Sequence, residues 1–201
     1  MKVYHGTNLV AKKAILAEGK IHSSQSSLET SIDVLLEWAT KAHSVEDLPT
    51  MGRVSQPAAL GDGVYAFKDI KDARTVSSDH CVITITLNDN AKITNLDSCD
   101  EMRKLAWELF STDYEPIFRQ RAYSTNMQQK LRKLFLLFAE FILDVLDDNS
   151  TIERYPYVFA YSLWVLEKMF NIKLSIVSRT FLGQPTYVCI RDSNTIKEVT
   201  A

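Results

Sequence analysis

Two short stretches hold the residue types best suited to chemistry. His5-Gly6-Thr7 follows Val3-Tyr4, and Gly61-Asp62-Gly63-Val64-Tyr65 leads into Ala66-Phe67. An imidazole has two ring nitrogens, one of which can hold a sugar hydroxyl. A tyrosine ring offers a flat face on which a planar heterocycle stacks. Glycine allows a backbone to approach a ligand closely or to take a positive φ. The chain has only six glycines, at 6, 19, 52, 61, 63 and 183, and Gly6 and Gly63 sit beside these two side chains. Taken singly, each feature has a plainer reading. A histidine after a strand is usually structural, as His22, His43 and His80 are read here, and Gly-x-Gly alone is an ordinary turn.

The elements around the two stretches follow from local signals. Val3-Tyr4 reads as a short opening strand. Asn8 is placed to N-cap a helix over 9–17, and Gly19 sits where a left-handed C-terminal residue belongs. A second helix is predicted over 32–42, and 44–63, with Pro49, Gly52, Pro57, Gly61 and Gly63, reads as a long loop. A strand over 63–67 precedes a short helix to about 76 capped by Asp69, with Asp72 in its first turn. The alternating run CVITITL at 81–87 predicts a strand. A turn at 88–90 and a return strand over 92–96 follow it. From 98 to 170 the apolar spacing becomes helical. Thr125 with Gln128 resembles a capping box for a helix to about 146, and another helix covers 157–170. Strand character returns at 174–177, 186–191 and 195–199.

In this order the two stretches resemble the diphtheria-toxin-like ADP-ribosyltransferases, the superfamily that includes the poly(ADP-ribose) polymerases. The first half of the match reads Tyr4-His5-Gly6-Thr7-Asn8, then Ala14-Ile15-Leu16, then Gly19-Lys20-Ile21. The second reads Gly61-Asp62-Gly63-Val64-Tyr65-Ala66-Phe67, then Asp69, then Lys71-Asp72-Ala73. The likeness covers about the first 97 residues and, more loosely, 174–199. It implies an α+β fold with a split β-sheet ADP-ribosyltransferase-like core. The chain would be a single domain over 1–201, with 98–170 a helical insertion before the last strands. It implies NAD as substrate. Tyr65 would stack on the nicotinamide, Gly6 would meet its carboxamide through the backbone, and His5 would hold a ribose hydroxyl. Thr7 and Gly63 belong to the same cofactor-binding set. Arg53, in the long loop, is a candidate partner for the pyrophosphate, since a guanidinium pairs with phosphate in bidentate fashion.

Breaking the glycosidic bond of NAD creates an oxocarbenium-like centre, which an accepting or negative group stabilises. In the family this group is usually a glutamate on a late strand. Here that strand reads Gln184-Pro185-Thr186-Tyr187-Val188-Cys189-Ile190-Arg191-Asp192, and the glutamate's place falls near Thr186 or Tyr187. None is a carboxylate. Gln184 is the first candidate for the role and Thr186 the second, with Glu153 of the insertion as a carboxylate that could compensate. Family members without the glutamate are typically mono-ADP-ribosyltransferases, rely on substrate assistance, or are inactive. That argues against elongation into poly(ADP-ribose).

Composition sets the outer limits. The chain has 201 residues, 46% of them hydrophobic, and a chain of this length can bury about 70% of the surface exposed when unfolded. A net charge of −2 gives no sign of a dedicated nucleic-acid binder. The basic residues Arg119, Arg121, Lys130, Arg132 and Lys133 read as a solvated face. Cys81, Cys99 and Cys189 are odd in number and lack a CxxC pair, so neither a disulfide framework nor a zinc site is expected. The opening residues have no apolar core, which predicts no secretory leader. The longest apolar stretch, 134–146, contains Glu140 and Asp144, so no membrane partner is expected and a cytoplasmic location is.

The function these readings predict is transfer of ADP-ribose from NAD to a macromolecular acceptor, protein or nucleic acid. Small free-standing enzymes of this type resemble toxins of toxin–antitoxin, anti-phage or effector systems, so an antitoxin or inhibitor protein is an expected partner. Three alternatives stand beside it: a non-catalytic NAD or ADP-ribose binder, an NAD glycohydrolase using water, and an RNA 2′-phosphotransferase of the same fold. The last wants a basic amino-terminal module, for which His5 lies too near the start.

Overall fold

The computed structural model describes residues 1–23, 36–37, 59–111, 114–147, 157–172, 174–181 and 183–201. Most of the helix expected over 32–42 and of the loop over 44–63, together with Arg53 and Glu153, lies outside them. The chain forms two compact units. One comprises residues 1–25, 62–97 and 174–201, the other 26–61 and 98–173.

Among the described residues, the first unit holds a seven-stranded mixed sheet and two α-helices. Its elements are β1 (Lys2–Thr7), α1 (Leu9–Glu18), β2 (Val64–Phe67), α2 (Ile70–Thr75), β3 (Cys81–Leu87), β4 (Ile93–Asn95), β5 (Ile176–Thr180), β6 (Thr186–Ile190) and β7 (Ile196–Thr200). The strand order is β4-β5-β6-β2-β1-β3-β7. The predicted caps are present: Asn8 accepts the Ala11 N–H at 2.8 Å, Gly19 has φ 64°, and Asp69 accepts the Lys71 N–H at 2.8 Å. Asn8 and Asp69 each satisfy a backbone N–H that a helix end would otherwise leave open, and Gly19 supplies the left-handed turn that ends α1.

Side chains alternate across a strand, so the sheet has two faces. One carries Val3, Val64, Ala66, Ile83, Ile85, Val188 and Ile190, with Ile15 of α1 and Ile21 packed on it. The other carries Phe67, Val82, Tyr4 and Tyr187, with Ala73 and Ile70 of α2. β1 pairs with β3 from Lys2↔Thr86 to Thr7↔Cys81, but with β2 at Tyr4↔Phe67.

The return strand expected after β3 needs correction. β4 does not run back along β3. It pairs in parallel with β5, Ile93↔Ile176, at the far edge of the sheet. Asn88 is bonded instead toward β7, its N–H to the Thr195 carbonyl at 2.9 Å and its side chain to the Asn194 carbonyl at 2.8 Å. Six residues from Leu87 to Ile93 reach about 20 Å at most. Five flat strand spacings would need about 24 Å, so the sheet must curl around the first face. Ala91 and Ile93 pack against that core, as a crossing over the curled face requires.

In the second unit, α3 (Cys99–Ser111), α4 (Glu115–Gln120), α5 (Thr125–Asp147) and α6 (Tyr157–Phe170) lie within the span expected to be helical. Leu105 and Leu109 of α3, Leu131, Phe135 and Phe138 of α5, and Phe159 and Val165 of α6 are buried. The expected capping box is not formed; a single side-chain cap stands one residue earlier. Ser124 rather than Thr125 accepts the Met127 N–H, at 3.3 Å, and Gln128 reaches back to the Tyr123 carbonyl at 2.8 Å. Of the basic residues near α5, Arg132 pairs with Glu115 and lies 5.3 Å over the Phe118 ring, and the Arg121 guanidinium donates to the Tyr123 hydroxyl at 3.3 Å. Among the described residues no helix is long and apolar enough to cross a membrane.

Candidate functional site

His5 and Tyr65 are 60 residues apart in sequence and adjacent in the sheet. The His5 Nδ1 lies 2.6 Å from the Tyr65 carbonyl oxygen. A carbonyl only accepts, so Nδ1 carries the hydrogen and Nε2 presents a lone pair. Burial lowers the His5 pKa below its ordinary 6.5, against a smaller upward effect of the bond to Tyr65. The ring is therefore neutral at pH 7 and can accept a hydroxyl hydrogen through Nε2. The linked stability follows in sign. A group with a depressed folded-state value takes up fewer protons than in the unfolded chain, so stability is full above 6.5 and falls as pH drops toward the folded value. The melting temperature is expected to decrease between pH 7 and pH 5, and His5→Asn to flatten part of that decrease in a pH series of thermal melts.

The two side chains leave their strands on opposite faces, which corrects the expected pairing: a nicotinamide stacked on the Tyr65 ring would lie across the sheet from the His5 imidazole and from Thr186. His5 follows Val3 in alternation, while Tyr65 follows Phe67. Tyr65 is 9% exposed and stands edge-on to Tyr187, ring centroids 6.5 Å apart. Its hydroxyl bonds to the Cys189 thiol, and that thiol lies 3.7 Å from the Asp62 carbonyl. Burial pushes the Cys189 thiol up to about 12, with Arg191 and Tyr65 opposing it. A thiol this reluctant to ionise is a poor nucleophile. Thiol alkylation at pH 8 is expected to label exposed Cys99 and to spare Cys189 until denaturant is added, as peptide mapping would read.

Both motif glycines have packing reasons. A Cβ on Gly6 would stand 2.1 Å from the Ala73 carbonyl oxygen and 2.8 Å from the Val76 side chain. One on Gly63 would meet the Cys189 sulfur at 2.5 Å and the Ile190 carbonyl oxygen at 2.7 Å. The room at Gly6 is thus taken up by α2, on the face that also carries Tyr65. Thr7 ends β1, where its carbonyl accepts the Ser77 hydroxyl and so ties β1 to the residues after α2.

The late-strand candidates separate. Gln184 sits in the exposed β5–β6 turn, beside Gly183 at φ 66°, and accepts the Tyr187 hydroxyl at 3.5 Å. That contact lies toward the Tyr65 face. Thr186 begins β6 and alternates with Val188, on the face of His5. Counted through the registers, it stands two strands across and two residues along from His5, about 12 Å over the sheet.

Sequence reasoning missed the residues around Thr186. Its hydroxyl oxygen is 2.7 Å from that of Thr180 on β5. Thr180 is held by Asp97, which follows β4: its N–H donates to Oδ1 and its hydroxyl to Oδ2, each at 2.9 Å. The neighbouring Arg179 is buried, donates to the Leu96 carbonyl and lies 3.7 Å from Asp97 Oδ1. An arginine in the β-branched strand Ile176-Val177-Ser178-Arg179-Thr180 was the available signal, since a buried guanidinium requires acceptors. Its partners could not be read locally, being 83 and 82 residues away. A separate cavity of about 470 Å³ lies against Lys20, His22, Ser193, Asn194 and Val199, and none of His5, Tyr65 or Thr186 lines it.

Among the described residues no group of three or more His, Cys, Asp or Glu is arranged to hold a metal. Comparisons with protein-family models, curated proteins and solved structures give no match.

Proposed function

We propose that this chain is a mono-ADP-ribosyltransferase with the split-sheet core of that superfamily, moving ADP-ribose from NAD to a macromolecular acceptor. The observation that carries the reading is the bond between His5 and the Tyr65 carbonyl, which latches two motifs 60 residues apart onto neighbouring strands. The neutral imidazole keeps an acceptor nitrogen for a ribose hydroxyl on the face shared with Thr186. A neutralising protein partner, as in toxin–antitoxin pairs, belongs to the same reading.

A second reading, a non-catalytic binder of NAD or ADP-ribose, is favoured by one observation: β6, Thr186–Ile190, has no carboxylate. One experiment separates them. Pure protein is incubated with NAD labelled in the ADP-ribose part, with and without cell lysate or RNA. Transfer of label to macromolecule is the expected result. Free ADP-ribose alone indicates a glycohydrolase, and no release of nicotinamide indicates a binder.

A further inference from the structure

The chain of hydroxyls ending on Asp97 has a fixed direction. Oδ2 of Asp97 accepts from the Thr180 hydroxyl, which spends its one hydrogen there. The 2.7 Å contact between Thr180 and Thr186 then has one donor available, the Thr186 hydroxyl. Thr186 thus donates to Thr180 and Thr180 to Asp97. Hydrogen bonds in series polarise one another, so the carboxylate increases the negative character of the Thr186 oxygen and fixes where its lone pairs lie. Thr180 ends β5 and is exposed, and Thr186 begins β6 and is half-buried, so the relay stands at the solvent-facing ends of these two inner strands.

Resting on the transferase reading, we infer that Asp97 is a positioning residue which supplies, through Thr180, the negative charge that the late strand itself lacks. Thr186 is the group that faces the reacting centre. In the step, the bond between ribose C1′ and the nicotinamide ring nitrogen breaks, and its electron pair leaves with nicotinamide. The developing positive charge at the ribose faces the Thr186 oxygen. The acceptor's nucleophilic atom forms the new bond to C1′ and loses its proton to water. Oriented acceptors act most strongly where charge develops in the transition state. The relay therefore affects turnover more than affinity, and Gln184, turned toward Tyr187, is left outside it.

The test is nicotinamide release by the full chain, with kcat and KM determined separately. Thr186→Val removes the hydroxyl and leaves the Asp97–Arg179–Thr180 contacts in place. It is expected to lower kcat about 30-fold or more with KM nearly unchanged, as loss of a transition-state contact does. Thr186→Ser keeps the hydroxyl and should stay within about threefold of the parent, since its Oγ can make the same bond. Asp97→Asn should lower kcat like Thr186→Val, and thermal melts show whether it folds. Thr186→Glu in the Asp97→Asn background should recover turnover by placing a carboxylate at the site directly. Unchanged kcat in Thr186→Val overturns the inference and leaves the transferase reading standing. No nicotinamide release by the parent protein removes both.

Discussion

Gly6→Ala is expected to be among the most destabilising single substitutions in the sheet unit. The added methyl would stand 2.1 Å from the Ala73 carbonyl oxygen, which is helix backbone and cannot rotate away as a side-chain tip can. To make room, α2 must lift from β1 or β1 must shift against β3, with which it pairs along its whole length. Overpacking of a well-filled core costs about 1–3 kcal/mol, and backbone in the way puts this case at about 3 kcal/mol. For a chain of this size that corresponds to a drop in melting temperature of about 6–12 °C. Gly19→Ala is the control: Gly19 has open space around it and a φ of 64°, so its cost is only that of the left-handed backbone, about 1 kcal/mol. Equal melting temperatures for the two variants would show that α2 yields freely, and that the glycine at position 6 answers to something other than packing.

From sequence, Gly6 looked like a place where backbone meets a ligand, and Gly63 like part of the same set. Both are tightly packed instead, one under α2 and one against β6. A glycine signals close approach without saying what approaches, and only the fold names the neighbour.

What was legible in the sequence was local. Asn8 and Asp69 act on backbone N–H groups within three residues of themselves and Gly19 through its own left-handed backbone, so their types and positions were enough to define the start of both helices and the end of α1. The alternation and β-branching in Cys81–Leu87 predicted the strand. The helical spacing after residue 98 likewise predicted α5 and α6, and a helical span in which α3 and α4 fall. The placement of β4 was not legible, because parallel pairing with β5 joins residues 83 apart and leaves no mark on either segment. The same separation hid Asp97 from Thr180. The proximity of His5 to Tyr65 was readable only through the resemblance, since nothing in either pentapeptide specifies the other.

His5→Ala is expected to weaken NAD binding by about 10–100-fold and to lower stability at the same time, for two distinct reasons. The first lies in the fold. Losing the Nδ1–H removes the imidazole bond to the part-buried Tyr65 carbonyl, and loss of such a bond costs about 0.5–1.5 kcal/mol. The second lies in the proposed site, where Nε2 is the acceptor for a ribose hydroxyl, and a site built to bond a group loses affinity when that partner is removed. His5→Asn separates the two. Its amide N–H can point toward the carbonyl from a similar distance along the side chain, while it cannot place an acceptor where Nε2 stands. Calorimetric titration with NAD, below the melting temperature of every variant, should find His5→Asn close to the parent in stability and close to His5→Ala in affinity. If His5→Asn and His5→Ala both bind NAD as the parent does while His5→Ala alone melts early, then His5 is a latch between β1 and β2 and makes no ligand contact. The transferase reading would then lose the residue on which it chiefly rests.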